Sequence, residues 1–291
     1  MVATSPHKTR PRPYKPHKKN QIIADRAWEY VQSVPYTVSL RWLFYRLLQD
    51  GTYTKKQSYD QMKNLFSGLR KNFHKEWNPE TLADETRSAD LNGFGALDED
   101  EWLEEVARRK CVLDKWLDQP CYVECWFEAK AMADQFRYYA GEVTLRPFGG
   151  DPSIPFKWAT ATHLREVRRR YGVEKPIKIL YFGDLDEKGV SIPMSALADI
   201  ELWAGAMGVN FEFERVGLNE GDGERLGIEE NFEKPGEYQW EALEDKDAKA
   251  LIRGALEKYL DMDILRATEE REKEITARFG EWIRSAPRGE S

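Results

Sequence analysis

The chain has 291 residues, 41% of them hydrophobic and 12% aromatic, with ten Trp. At ~100–200 residues per domain that is about two domains, too rich in core formers for global disorder. No apolar run approaches the ~20 residues of a membrane-spanning helix, and the N-terminus lacks the apolar core and cleavage site of a secretory signal, so a cytoplasmic protein that engages no membrane is expected.

Three Cys, an odd number, make no disulfide framework. Cys121 and Cys125 have neither zinc spacing nor a nearby His and read as buried reduced thiols. The net charge of −7 argues mildly against a nucleic-acid partner, but it is unevenly spread. Residues 1–20 carry Lys8, Arg10, Arg12, Lys15, Lys18 and Lys19 with no acid, and four prolines keep this tail from being a helix. Such an arm suits either phosphate neutralisation or solubility.

Apolar spacing predicts a helix over 21–34, ending at Pro35, and a second from Ser39, its N-cap, to Asp50-Gly51. A third starts near Ser58, with Met62, Leu65, Phe66 and Leu69 inward and Lys63, Arg70, Lys71 and Lys75 free to face a polyanion. With a strand-turn wing over 77–87, residues 21–97 read as a winged helix-turn-helix, a pattern that equally suits a bundle for protein contacts. Residues 98–120 read as a linker containing a charged amphipathic helix, Asp98 to Leu117. Beyond it the rhythm becomes strand 121–127, helix 129–139, strand 143–148, helix 158–171, strand 177–182, helix 192–207 and strand 211–216. That alternation predicts an α/β domain over 121–291, with a mainly parallel four-stranded sheet and a helical appendage from Trp240. Trp240-Glu241-Ala242-Leu243 is read as packing, without chemistry.

Glu128 stands where the first strand ends, and Asp184-Leu185-Asp186 where the third ends. Residues i and i+2 of an extended segment face one way, so both aspartates can address one spot, which Glu128 reaches if the two strands are neighbours. Three such carboxylates are most simply stabilised by a hard divalent cation, Mg2+ or alternatively Mn2+. The same pattern also suits a solvated strand end with helix-capping aspartates.

The strand-end Glu followed by Asp-x-Asp and Gly189 resembles the Toprim domain. Trp126-Phe127-Glu128-Ala129-Lys130-Ala131 is similar to the V-E-K-D-A signature of topoisomerase VI A subunits, with Ala129 and Lys130 departing from it. Gly183 to Gly189 is similar to their T-D-x-D-P-x-G segment, with Glu187 in place of Pro. Arg41-Trp42-Leu43-Phe44-Tyr45 is similar to their R-E-I-Y-Y signature, with Trp42 replacing the acid. The compact relatives called Mini-A match the length best.

This resemblance implies that Tyr45 attacks a DNA phosphodiester to leave a 5′-phosphotyrosyl link, with Arg41 near the phosphate and Glu128, Asp184 and Asp186 as catalytic and metal-binding acids. It also implies double-stranded DNA as substrate, nucleoid association, and a homodimer in which each Tyr45 meets the partner subunit's acids. A separate ATPase subunit stays compatible, since no G-x-x-x-x-G-K-[ST] occurs here. From the residues alone, a phenol with a pKa of ~10 needs activation. Arg41, one turn earlier, supplies a charge that would lower it, whereas the plainer alternative packs Phe44 and Tyr45 in the helical core. Two other functions fit the same residues: a Toprim nuclease hydrolysing DNA through metal-activated water, and a non-catalytic winged-helix DNA-binding protein.

Overall fold

The computed structural model describes residues 15–54, 59–78, 80–83, 96–231 and 234–285. The expectations for the tail before residue 15 and for the turn at 84–87 lie outside them.

Three helices, α1 (Lys18–Ser33), α2 (Leu40–Gln49) and α3 (Tyr59–Lys71), surround a core of Ile23, Ala27, Leu43, Leu47, Met62, Phe66 and Leu69. The expected tail boundary at residue 20 is thus crossed by α1. Ser39 caps α2 by accepting the Trp42 N–H at 3.1 Å. After α3 the chain returns over this core, burying Trp77 and Leu82 and joining Ala83 N–H to the Val38 carbonyl at 3.0 Å. No strand is found among the described residues of 15–83.

The expected long linker helix is cut short. Helix α4 (Glu99–Ala107) ends early, and the Cys111 and Leu113 N–H groups, which a continuing helix would use internally, donate to Thr276 Oγ1 and Glu272 Oε1, each at 2.8 Å. These acceptors lie on α10 (Met262–Ser285), which packs against α4. Tertiary partners have won over local helix preference.

The α/β part runs β1 (Tyr122–Phe127), α5 (Ala133–Tyr139), β2 (Thr144–Pro147), α6 (Ile154–Tyr171), β3 (Ile177–Phe182), α7 (Glu187–Ala206), β4 (Glu212–Gly217), α8 (Asp222–Leu226) and α9 (Asp245–Glu257). Its four strands are all parallel, in the order β2-β1-β3-β4. Strand alternation divides the core in two. Val123, Cys125, Phe127, Leu180 and Phe182 pack with Phe136 of α5 and Ile252 of α9, while Tyr122, Trp126, Ile179 and Tyr181 pack with Leu164 of α6 and Ile200 of α7. Both faces are covered, which a parallel sheet requires, and Cys121 and Cys125 are buried free thiols within it. Among the described residues no helix is long and apolar enough to cross a membrane.

The helical unit docks on the turn before α9. Arg46 donates to the Ala242 and Leu243 carbonyls at 2.7 and 2.5 Å, and Gln49 donates to Ala242 at 2.8 Å. This junction carries α2 up to the strand ends.

Candidate active site

Strand order reverses between β1 and β3, and in such sheets ligands gather at the carboxyl ends beside that reversal. Glu128 follows β1 there, its N–H bonded to the Phe182 carbonyl at 3.0 Å, and its Oε2 accepts the Asp184 N–H at 2.9 Å. Two glycines make room. A Cβ at Gly183 or at Gly189 would lie 2.9 Å from that same Oε2.

Asp184 and Asp186 flank Leu185, which forms an antiparallel bridge with Tyr238. The bridge extends strand-like pairing at Leu185 beyond the end of β3. It also brings residues 239–241 alongside: Trp240 N–H donates to Asp184 Oδ1 at 2.7 Å, and Gln239 Nε2 approaches Asp186 Oδ2 at 3.4 Å. Asp186 Oδ1 accepts Gly189 N–H at 2.6 Å as the N-cap of α7. The capping role that the sequence left open therefore belongs to Asp186.

From the other side α2 presents Tyr45 and Arg41. Tyr45 OH donates to Gln239 Oε1 at 3.3 Å, Arg41 Nη2 bonds the same oxygen, and Arg41 Nε lies 3.4 Å from Glu241 Oε1. Within one chain Tyr45 is thus linked through Gln239 to Asp186. Tyr45 is half-buried and also touches the helical core, in edge-on contact with Phe44 at 5.8 Å, so the packing alternative describes one side of the same ring.

The electrostatics follow from burial. Burial, then the charges of Glu241 and Glu128, hold the Asp184 carboxyl well above the usual range against the opposing Trp240 N–H. Glu128 is pushed up mainly by burial, with Asp186 and Glu241 adding to it and the Asp184 N–H opposing. Burial likewise raises the Tyr45 phenol; the Arg41 charge acts in the expected, lowering direction but is outweighed. Arg215 sits beneath the turn and donates to the Asp184 carbonyl at 2.5 Å and to the Gly189 carbonyl at 2.8 Å. The second of these carbonyls loses its helical donor because Pro193, four residues on, has no N–H.

Among the described residues no three His, Cys, Asp or Glu side chains form a ready-made cation cage. Each of Glu128, Asp184 and Asp186 already accepts one backbone N–H. The donor set still fits a hard cation: every candidate donor is a carboxylate oxygen, and their mutual repulsion is what a divalent ion relieves.

Of the expected DNA-facing residues, Lys63 pairs with Asp60 and Lys75 with Asp25, each at 2.5 Å, while Lys71 is exposed and Arg70 half-buried with its Nε unpartnered among the described residues. None of the four is hydrogen-bonded or ion-paired to the acids at the strand ends. Sequence reasoning missed Gln239, Glu241 and Arg215. The available signal was two polar residues flanking Trp240 in an otherwise apolar run.

No protein-family model, curated protein or solved structure matches this chain.

Proposed function

We propose that the protein is a divalent-cation-dependent DNA-cleaving enzyme in which a winged-helix-like unit delivers Tyr45 to a Toprim-like acidic site. The observation that carries this reading is the link Tyr45–Gln239–Asp186, with Arg41 bonded to the same Gln239, at the carboxyl ends of β1 and β3. A nucleophile, a phosphate-binding cation and an acid cluster together are what phosphoryl transfer to a tyrosine needs.

Glu128, Asp184 and Asp186 are the residues to hold Mg2+ or Mn2+. The ion would supply neutralisation of charge developing on the transferring phosphoryl group. Arg41 orients the phosphate and stabilises the Tyr45 phenolate. The Tyr45 oxygen forms the new bond to phosphorus as its proton passes to solvent water, the bond to the 3′ oxygen breaks, and that oxygen takes up a proton from water to leave as a free 3′-hydroxyl. Lys63, Arg70, Lys71 and Lys75 hold the duplex through phosphate contacts. Two copies of the chain, each with a complete half-site, would cut both strands, and a separate ATPase subunit would couple cutting to strand passage.

A second reading, hydrolysis by activated water, is favoured by one observation. The Tyr45 phenol is raised by burial and donates to an amide oxygen that cannot take up its proton. Both readings predict that supercoiled plasmid is nicked or linearised only with Mg2+ or Mn2+ and that Asp184→Asn abolishes this. Cutting that persists in EDTA, or in Asp184→Asn, would refute them together.

A further inference from the structure

We infer that Glu241 is a ligand of the functional cation, shared with Asp184, and that Arg41 holds its place as counter-ion until the cation arrives. This rests on the cation-dependent reading above. Two fully enclosed glutamates of the chain are treated in opposite ways. Glu124, on β1, accepts from Tyr122 OH at 3.1 Å and Trp126 Nε1 at 2.7 Å, and meets Arg146 and His163 at 3.3 and 3.0 Å. Glu241 is 3% exposed, yet among the described residues neither of its carboxylate oxygens has a hydrogen-bond partner and its only ion pair is the 3.4 Å approach of Arg41.

A buried carboxylate left so short of donors is unfavourable unless a further charge completes it. Its position says which charge. The Trp240 N–H bonded to Asp184 Oδ1 holds the backbone just before Glu241 against Asp184, and Glu241 is the strongest charge acting on the Asp184 carboxyl, so the unsatisfied carboxylate is a near neighbour of the one already proposed to bind metal. Glu128 and Asp186 each spend one oxygen on a backbone N–H, whereas Glu241 spends neither of its own. Because Mg2+ usually accepts one or two direct carboxylates and fills its other positions with water and phosphate oxygens, Asp184 and Glu241 would be the direct ligands, with Glu128 and Asp186 holding the ion through bound water. Arg41, 41% exposed along its side chain, is then released toward solvent and an incoming phosphate next to Tyr45.

The test is Mn2+ titration of the full chain followed by electron paramagnetic resonance, with no DNA present, on wild type, Glu241→Gln, Glu241→Asp, Asp184→Asn and Arg41→Gln. Melting in EDTA confirms that each variant is folded. Glu241→Gln and Asp184→Asn are expected to weaken Mn2+ binding about tenfold or more. Glu241→Asp, which keeps the charge but shortens its reach, weakens it less, and Arg41→Gln tightens it by removing the competitor. Wild-type affinity in both Glu241 variants with a loss in Asp184→Asn would overturn the assignment of Glu241 and leave the acidic site standing. No saturable binding to wild type would overturn both.

Discussion

Glu128 reaches across from the end of β1 to accept the backbone N–H of Asp184 at 2.9 Å, so the carboxylate of one strand end is fastened to the neighbouring strand end. The fastening depends on missing side chains. At Gly189 an added Cβ would meet both the Asp184 carbonyl and Glu128 Oε2.

Gly189→Ala is therefore expected to destabilise the fold by about 1–3 kcal/mol, the usual cost of overpacking a site whose backbone cannot retreat. It should also displace Glu128. Denaturant melts measure the first effect and Mn2+ affinity the second. Stability and affinity both equal to wild type would show that the turn yields freely.

Arg46 joins the two halves of the molecule by donating to the Ala242 and Leu243 carbonyls from a buried position. Arg46→Met keeps much of the aliphatic stem but leaves the Leu243 carbonyl unpaired and the Ala242 carbonyl with Gln49 alone, at a cost of about 1–3 kcal/mol. Urea melts check the magnitude. Limited proteolysis should show faster cutting between α1 and α2, and an unchanged digest with an unchanged melt would contradict this account of the docking.

The enclosed Glu124 gives a pH prediction. Burial alone would raise its carboxyl, but the His163 hydrogen bond, the Arg146 charge and the Trp126 N–H outweigh burial and hold it below its ordinary value of 4.5. A folded-state value below the unfolded one means stability that is present above pH 4.5 and lost as pH falls through the lowered value. Arg146→Met, which removes one partner, should cost about 3 kcal/mol at neutral pH. That deficit should shrink below pH 4.5 as the carboxyl protonates in both proteins. Melting curves from pH 3 to 7 test it, and a deficit constant across the range would assign the cost to packing.

Much of this architecture can be read in the chain itself. The run Ile177–Phe182, bounded by Pro176 and Gly183, gives β3 its observed limits, and Ser39 caps α2 as its side chain predicts. Helix α7 begins earlier than the expected residue 192, because Asp186 caps it and Arg215 takes over the carbonyl that Pro193 leaves without a helical donor. Sequence can locate a proline but not the arginine, from another strand, that compensates for it. The acids of β1 and β3 are legible because strand ends are. Gln239 and Glu241 are not, since only the Leu185–Tyr238 bridge, a contact between distant segments, brings them beside Asp184. Helix α10 likewise went unread as a separate element, and its side chains are what end the linker helix at Ala107.

The central claim is that Tyr45 is the group that attacks DNA. The most direct test incubates the purified chain with end-labelled DNA and Mg2+ and resolves the products on denaturing gels, with and without proteinase, for wild type and Tyr45→Phe. The account predicts cut strands whose 5′ ends migrate freely only after proteinase digestion, and none of these in Tyr45→Phe. Free 5′ ends without digestion, made equally by Tyr45→Phe, would contradict it.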